Sequence, residues 1–304
     1  MSRIIKAIAP AAVLALLPVS ALPVSASAAP AKMQDTPARL AAACAGKDGW
    51  ADPAPPARIF ANTWYVGTCG ISAILVTGDK GHVLVDAGVA KAAPLVLANI
   101  RRAGFDPRDV RWIVASHEHF DHVGALAALQ RATGAKVAAL PVQKAALESG
   151  KPSSEDPQAA GLDPIAPVKV DRVLADGDDL VVGKLVVTAH ATPVHAPGST
   201  SWTWQSCTAT FTCRMVAYAD STSTISSEGY RFTDHPDRIA AVRAALPLVA
   251  ALPCDILLTP HPSQSAMMER FADTKPLVDA AACRAYVDAA QARFADRLAK
   301  EARK

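Results

Sequence analysis

The length, composition and charge of the chain limit the classes of protein to which it can belong. Its 304 residues are ample for a substantial core and correspond to one large domain or two small ones. Lysine and arginine together number 31, against 28 aspartates and glutamates, and the net charge is only +3. Because the sequence has no run of basic residues of the kind that binds a nucleic-acid backbone, we expect no nucleic-acid partner.

The N-terminus has the three parts of a secretory signal. Arg3 and Lys6 precede an apolar stretch at residues 8–17, and Ala26–Ala28 fits an A-x-A cleavage site. We therefore expect residues 1–28 to be a signal peptide and the mature protein to be periplasmic. Prolines and serines end the apolar stretch well short of the ~20 residues needed to span a bilayer, so we expect no stable membrane insertion.

Export affects the interpretation of the six cysteines, because an oxidising compartment favours disulfides. Cys207 and Cys213 bracket the sequence TATFT closely enough to staple a hairpin. The spacing alone does not pair the remaining four, which are Cys44, Cys69, Cys254 and Cys283.

Predicted elements begin after an alanine- and proline-rich segment. Residues 29–57 lack periodicity and are expected to form a mostly irregular arm, followed by a single domain over residues 58–304. The first strands are predicted in TWYVGT, ISAILVTGDKGHVLVDAG and VRWIVASH, where β-branched residues are enriched. Gly78–Gly81 is typical of a hairpin turn. Helices are predicted over 90–102 and over 122–133.

The second half of the domain has the same mixture of elements. Strands are predicted at 135–139, 168–173, 184–188, 201–204, 214–218 and 255–259. Helices are predicted at 237–251 and from about residue 277 to the C-terminal end. Because strands and helices are mixed throughout, we expect an α/β fold with the sheets inside and the helices outside.

Residues 115–129, ASHEHFDHVGALAAL, place three histidines and an aspartate between an apolar strand and an apolar helix. In an extended segment, residues two apart point to the same side, so His117, His119 and Asp121 can converge while His122 turns away. Neutral imidazole and carboxylate are ligands that Zn²⁺ prefers, and four such groups are enough for parts of two sites. Without a cation, the histidines would repel one another below about pH 6.5. The cluster therefore predicts metal binding.

Further ligands have to come from other loops. His195, in TPVHAPGSTSW, and His261, in LLTPHPS, follow predicted strands and have prolines nearby that fix the direction of the backbone. His190 lies inside a valine-rich strand, where we expect it to pack or to support a ligand rather than bind metal. His82, in a hairpin, and His235, in a turn before a helix, are expected to have no role in the site.

Four motifs, in this order and at these intervals, carry a family resemblance. They are SHEHFDHVG, TPVHAPGSTSW, AYADSTS and LLTPHPS. Together they resemble the metallo-β-lactamase superfamily, and most closely the secreted β-lactamases of subclass B3, over nearly all of residues 58–290. The resemblance implies a four-layer αβ/βα sandwich in which helices flank two mixed β-sheets. It also places the metal site at the edge between the two sheets.

The resemblance further implies two zinc ions per chain. Their ligands would be His117, His119 and His195 for the first zinc, and Asp121, His122 and His261 for the second. Asp86, in LVDAG, matches an aspartate that braces this loop in the family. The disulfides implied are Cys44–Cys69, Cys207–Cys213 and Cys254–Cys283.

One departure from the family bears on the third histidine. The family usually has glycine before it and threonine after it, where this chain has Val194 and Ala196. A β-branched residue resists a positive φ angle, so the pose of His195 is where this chain could differ.

The activity implied by the resemblance is zinc-dependent hydrolysis of the β-lactam ring of penicillins, cephalosporins and carbapenems, which confers resistance. The only partner expected is this small-molecule substrate, and we expect a monomer. Zinc lowers the pKa of a bound water to about 7 and so makes a nucleophile available without a catalytic serine. Asp121 would both ligate and orient the water or shuttle a proton. Ser221 and Ser223 would hold the substrate carboxylate, and Gln158 would line the pocket.

Two other functions fit part of the pattern. A thioester or lactone hydrolase similar to glyoxalase II would use Asp220, rather than Ser221, to complete a bridged metal pair. Export, three disulfides and the sequence DSTS argue against it. A non-catalytic periplasmic metal-binding module would keep the ligands without hydrolysis, but a complete ligand set is not expected where catalysis has been lost.

Overall fold

Two β-sheets lie face to face at the centre of this protein. The computed structural model describes Met1 and residues 35–303, and from Asp35 onward the chain is one compact unit. Apart from Met1, the predicted signal segment lies outside the described residues, as do residues 29–34 of the predicted arm. Among the residues that are described, no helix combines the length and the apolarity needed to cross a bilayer.

Within residues 35–303, the first sheet has seven strands in sequence order. They are β1 (Ala57–Phe60), β2 (Thr63–Tyr65), β3 (Ile74–Gly78), β4 (Gly81–Val85), β5 (Val110–Val114), β6 (Lys136–Ala139) and β7 (Arg172–Val173). Strands β1 to β4 pair antiparallel, whereas β4 to β7 pair parallel. The sheet is therefore mixed.

The second sheet, over the same described range, has five strands in the order β12-β11-β10-β9-β8. They are β8 (Asp179–Val182), β9 (Leu185–Ala191), β10 (Thr200–Cys207), β11 (Cys213–Tyr218) and β12 (Ile256–Leu258). The strands β11 and β12 pair parallel, and the other neighbours pair antiparallel. This sheet is mixed as well.

Helices cover the outer faces of both sheets. In the described part of the chain the α-helices are α1 (Pro37–Ala43), α2 (Ala93–Arg102), α3 (Phe120–Val123), α4 (Leu126–Thr133), α5 (Pro141–Ser149), α6 (Pro236–Ala250), α7 (Met267–Phe271) and α8 (Ala282–Glu301). Apolar residues of α2 and α4 pack on the first sheet, and those of α6 and α8 pack on the second. The layer order is helix, sheet, sheet, helix, which confirms the predicted αβ/βα sandwich.

The layer between the sheets is the largest apolar cluster, and two tryptophans of β10 lie inside it. Trp202 and Trp204 are fully buried. Each indole N–H has an acceptor, because Trp202 donates to the Ala115 carbonyl (3.0 Å) and Trp204 to the Thr63 hydroxyl (2.9 Å). Burying an indole without such an acceptor would cost about 1–3 kcal/mol.

Two predicted elements are wrong in extent. The predicted helix over 122–133 is divided at Gly124, where an added Cβ would lie 2.3 Å from the Phe120 carbonyl and 2.7 Å from the Ala90 nitrogen. The predicted strand over 168–173 pairs only at Arg172–Val173. Val168 instead donates its N–H to the Leu147 carbonyl at the end of α5 (2.8 Å). Its apolar character therefore reflects burial rather than strand pairing.

The segment predicted to be a mostly irregular arm contains helix α1. The Thr36 hydroxyl accepts the N–H of Arg39 (3.3 Å), and Pro37 takes the first helical position, where no donor is needed. Leu40 on this helix is fully buried in the layer between the sheets. The arm therefore contributes to the core.

Three disulfides close the structure, and none of the six cysteines is free. They are Cys44–Cys69, Cys207–Cys213 and Cys254–Cys283, which is the pairing that the resemblance implied. The first ties the end of α1 to the loop between β2 and β3. The second closes the β10–β11 hairpin, and the third joins the start of β12 to α8.

Candidate metal centre

The predicted ligands lie together because the strands that precede them end at a common edge of the two sheets. His117, His119, Asp121 and His122 follow β5, His195 follows β9 and His261 follows β12. The neighbouring residues Asp86 and Asp220 follow β4 and β11. Ser72 ties the two sheets at this edge, since its N–H donates to the Pro260 carbonyl and its hydroxyl to the Thr259 carbonyl (both 2.8 Å).

The structure brings all six predicted ligands into two adjacent groups. Donor atoms of His117, His119 and His195 lie within 4.8 Å of one another, as do donor atoms of His117, Asp121 and His122. His261 completes the second group: its Nε2 lies 3.2 Å from Nε2 of His122 and 3.3 Å from Oδ2 of Asp121. Five of the six side chains are buried, and His261 is partly exposed at the opening.

In the first group, hydrogen bonds determine which ring nitrogen points inward. Nδ1 of His117 lies 2.8 Å from Oδ1 of Asp220, which leaves Nε2 buried without a partner. Nε2 of His119 lies 2.8 Å from Oδ2 of Asp156, which leaves Nδ1 free. Nδ1 of His195 donates to the Ser223 carbonyl (2.7 Å), which directs Nε2 inward. A histidine that binds metal through one nitrogen is commonly held in this way through the other.

Asp86 braces the second group. Its carboxylate lies 3.2 Å from Nδ1 of His122 and accepts hydrogen bonds from the Ser116 N–H (2.6 Å), the Ser116 hydroxyl (2.8 Å) and the Tyr218 hydroxyl (2.6 Å). Asp86 is fully buried and has a φ angle of 64°, a conformation that costs about 1–3 kcal/mol and that is concentrated at functional sites. The bonds from three separate groups hold it there.

The electrostatics of the two groups differ. Burial, together with the neighbouring histidines, holds the pKa of His117 well below its ordinary value and lowers that of His195 to about 3, so both rings are neutral. Burial also lowers the pKa of His122, but the nearby carboxylates of Asp121 and Asp86 outweigh it and raise the pKa to about 10. Asp121 is held below its usual pKa by His122 and His261, against the effect of burial. A cation that binds the second group would therefore displace a proton from it.

These residues fit a metal ion. Neutral imidazoles with one inward nitrogen each, one of them buried without any partner, supply the first group. Two imidazoles and a carboxylate with mutual distances of 3.1–3.3 Å supply the second. Nitrogen ligands with carboxylate oxygen suit a borderline cation of the zinc type. The cluster is therefore a candidate metal site.

Asp156 was missed by the sequence analysis. It lies in the loop between α5 and β7, is 3% exposed, and orients His119 from a distance of 37 residues along the chain. Its other oxygen accepts the N–H of Gln158 (2.7 Å). No local pattern in SSEDPQ relates this aspartate to a histidine, so no sequence signal could have found it.

Two of the three predicted substrate-binding residues, Gln158 and Ser223, lie beside His195. Nε2 of Gln158 lies 3.4 Å from Nε2 of His195, and the Ser223 hydroxyl lies 3.0 Å from Nδ1 of the same ring. Ser221 is 1% exposed, and its hydroxyl is buried with no hydrogen-bond partner. Trp50, from the predicted arm, extends the rim on the other side, with its ring 6.0 Å from that of His261.

The other histidines lie away from the cluster. Nε2 of His190 lies 2.8 Å from the Thr203 hydroxyl on the adjacent strand β10. His82 packs edge-on against Phe105 at 5.1 Å, and His235 stacks on Tyr230 at 4.3 Å. None of the three joins the two groups of donor atoms in the described chain.

Val194 and Ala196, which stand where the family usually has glycine and threonine, do not strain the backbone at His195. Positive φ angles at non-glycine positions of the described chain occur at Ala61, Asp86, Phe211, Ala266 and Asp273. Val194 and Ala196 are therefore in ordinary backbone conformations, and both side chains are buried. The β-branched residue before His195 is not forced into a positive φ angle in this loop.

Comparison with known proteins agrees with the fold and with the site. A family model described as Metallo-beta-lactamase superfamily matches residues 66–269. The metallo-beta-lactamase MIM-1 from Novosphingobium pentaromativorans is 60% identical, with a TM-score of 0.85 over 87% of this chain and 98% of that one. MEM-A1, a subclass B3 metallo-beta-lactamase from a soil metagenome library, is 39% identical, with a TM-score of 0.80 over 84% of this chain and 99% of that one. The chain belongs to the metallo-beta-lactamase superfamily and, within it, to the subclass B3 group.

More distant relatives have other activities in their names. A hydroxyacylglutathione hydrolase from Anaeromyxobacter dehalogenans is 33% identical over 131 residues, which is 43% of this chain and 41% of that protein. An N-acyl homoserine lactonase from Azorhizobium caulinodans is 31% identical over 81 residues, which is 31% of that protein. The chain thus matches less than half of the length of these two relatives.

Proposed function

We propose that this protein hydrolyses the β-lactam ring of penicillins, cephalosporins and carbapenems with two zinc ions, and so confers resistance. The observation that carries the proposal is the pair of adjacent donor groups, in which contacts from outside the cluster leave one ring nitrogen of each of four histidines facing inward. The 60% identity to a metallo-beta-lactamase supports the choice of substrate.

Each zinc has three proposed protein ligands. His117, His119 and His195 hold the first ion, and Asp121, His122 and His261 hold the second. Zinc, when bound, supplies Lewis acidity and makes water nucleophilic at neutral pH. Three protein ligands per ion leave a position open at each, as in catalytic rather than structural zinc sites.

The chain's own residues orient the reactants. A carboxylate oxygen of Asp121, at the side of the second group, accepts a hydrogen bond from the attacking water and so orients it. The Ser221 hydroxyl, which has no partner within the protein, donates to the substrate carboxylate. Ser223 and Gln158 contact His195 and would meet the substrate beside it. Positioning of the substrate by such groups contributes to the rate by reducing the entropy lost in the transition state.

The geometry of Asp220 argues against a thioester hydrolase. In that alternative Asp220 would complete a bridged metal pair. Here its Oδ1 faces Nδ1 of His117, and burial raises its pKa to about 7. Asp220 orients His117 through this contact, and in the described chain it belongs to neither group of donor atoms.

Hydrolysis assays test the proposal directly. The secreted protein is assayed with a carbapenem, a cephalosporin and a thioester, each with and without a chelator. We expect β-lactam turnover that the chelator abolishes and that added zinc restores. Turnover of the thioester alone would favour the glyoxalase II-like alternative, and zinc binding without any turnover would favour a metal-binding module.

Export to the periplasm is part of the proposal. Residues 1–28 would be removed as a signal peptide, leaving the arm and one catalytic domain over residues 58–304 as a monomer. The three disulfides support an oxidising compartment. N-terminal sequencing of the secreted protein, together with its mass in solution, tests the cleavage site and the monomer.

A further inference from the structure

The loop Thr192–Ser199, which carries His195, is closed at its base by its own hydrogen bonds. The Thr192 N–H donates to the Ser199 carbonyl (3.0 Å), and the Ala196 N–H donates to the Ser199 hydroxyl (3.0 Å). These bonds fix the shape of the loop. The Thr200 N–H, directly after the loop, donates to the Ser116 carbonyl (2.6 Å) and ties this end of the loop to the residue before His117. These bonds do not hold the residues on either side of His195 itself.

On the N-terminal side of His195, a guanidinium holds two successive carbonyls. Arg238, in the first turn of α6, donates from Nη1 to the Pro193 carbonyl and from Nη2 to the Val194 carbonyl, both at 2.8 Å. The planar fork of arginine makes both bonds at once, which the single ammonium of lysine does not reproduce. Val194 adds packing there, because its side chain is 1% exposed in the cluster between α6 and the second sheet.

On the C-terminal side of His195, a buried carboxylate holds an amide. Glu118, between His117 and His119, is 4% exposed, and its Oε1 accepts the N–H of Gly198 (3.0 Å). Its Oε2 is buried with no partner, and an added Cβ at residue 198 would lie 2.4 Å from that oxygen. A buried carboxylate is costly compared with an apolar residue of similar volume, so packing alone does not account for it.

Resting on the proposed zinc role of His195, we propose that Arg238 and Glu118 are positioning residues for the first zinc site. Together they hold the His195 loop from its two sides: Glu118 fixes it to the segment of the other two histidines, and Arg238 fixes it to α6. These contacts keep Nε2 of His195 at a fixed distance from the imidazoles of His117 and His119. Loss of either contact lets the loop move and weakens the site without removing a ligand.

The test uses the full secreted chain and substitutions that keep size. Arg238→Lys keeps the charge and loses the fork, and Glu118→Leu loses the acceptor. Glu118→Gln keeps an oxygen that accepts the Gly198 N–H. The matched controls are Arg243→Lys, on an exposed position of the same helix, and Glu228→Gln, also exposed.

We expect R238K and E118L to bind zinc at the first site about 10–100-fold more weakly, which is the usual effect of losing a group that orients a ligand. Affinity is measured by titration against a competing chelator, and ligand geometry by the absorption spectrum of the Co²⁺-loaded protein, which should shift. E118Q should keep most of the wild-type affinity and spectrum, and both controls should match wild type. Circular dichroism of the metal-free proteins establishes that each variant is folded.

The outcomes separate this inference from the proposed function. Wild-type protein that binds no zinc, or binds it without β-lactam turnover, overturns the proposed function whatever the variants do. Wild-type protein that binds two zinc ions, with R238K and E118L equal to it in affinity and Co²⁺ spectrum, overturns the positioning role even if both variants melt at a lower temperature. If E118L does not fold, R238K decides, because it preserves the charge and most of the packing.

Discussion

Single residues in the metal site are directed by partners that lie far away in the sequence. The ligands are concentrated in a motif of six residues and two later loops. Their ring orientations depend on Asp86, Asp156, Asp220 and the Ser223 carbonyl, which are separated from their histidines by 36, 37, 103 and 28 residues. A histidine with a fixed partner on one nitrogen offers the other to metal without a further entropy cost. The ligands can thus be recognised from short stretches of sequence, whereas the contacts that orient their rings come from distant parts of the chain.

The assignment of His122 to the second zinc can be tested by its removal. His122→Ala should leave about one zinc per chain and impair ring opening, because the second group would keep only Asp121 and His261. Zinc content by elemental analysis and the hydrolysis rate are the measurements. His190→Ala is the matched control, since His190 bonds to Thr203 on the sheet and should leave two zinc ions bound. Unchanged stoichiometry in H122A would show the assignment to be wrong.

Removal of Asp156 should weaken zinc binding or activity although Asp156 is not itself a proposed ligand. Asp156→Ala removes the acceptor for Nε2 of His119 and the anchor of the Gln158 N–H, so we expect about a 10–100-fold loss in zinc affinity or activity. Asp163→Ala, at an exposed position of the same loop, is the control and should resemble wild type. Wild-type affinity and rate in D156A would mean that His119 is held by its other contacts.

At the scale of elements, the sequence predicts the strands well because a buried strand leaves a strong local pattern. The Gly78–Gly81 turn, the strands on either side of it and the strands that precede the ligands occur as predicted. Helices α1, α5 and α7 and strands β1 and β8 were not predicted. Helix α1 has only 7 residues, and its stability depends on burial of Leu40 and on Cys44, neither of which is a local signal.

The disulfide at the end of α1 should stabilise the fold more than the hairpin disulfide does. Cys44–Cys69 spans 25 residues and Cys207–Cys213 spans 6, so loss of chain entropy in the unfolded state predicts contributions of about 3–4 and about 2 kcal/mol. The paired substitutions Cys44→Ala with Cys69→Ala, and Cys207→Ala with Cys213→Ala, are compared by denaturant unfolding. An equal loss in the two would contradict the ordering.

The pairing of the cysteines can be tested by mass spectrometry. Because all six cysteines are paired in the structure, intact mass after alkylation should not change unless the protein is first reduced. Alkylation of the unreduced protein would count against full pairing.

At the scale of the whole molecule, metal should bind only the folded state, because the ligands come from both sheets. Zinc at about 100 times the Kd of a site should then add about 2.7 kcal/mol to the free energy of unfolding for each site that it fills. For a domain of this size that raises the Tm by about 5–10 °C, measured by calorimetry with and without chelator. Magnesium, which prefers oxygen ligands, is the control and should not raise the Tm. Ring opening that survives complete removal of metal would contradict the two-zinc proposal.

The sequence by itself determined the α/β class and the Gly78–Gly81 hairpin through periodicity and turn residues. It also placed four side chains of the metal cluster in one short motif, and the family resemblance implied the other two, His195 and His261. The tertiary structure alone decided which nitrogen of each histidine faces inward, that Asp156 and Glu118 support the ligands, and that the arm adds Leu40 to the core and Trp50 to the rim. The physical reason is the same in each case. These contacts join residues distant in the chain, and their energies depend on the packing of two sheets that no short segment specifies.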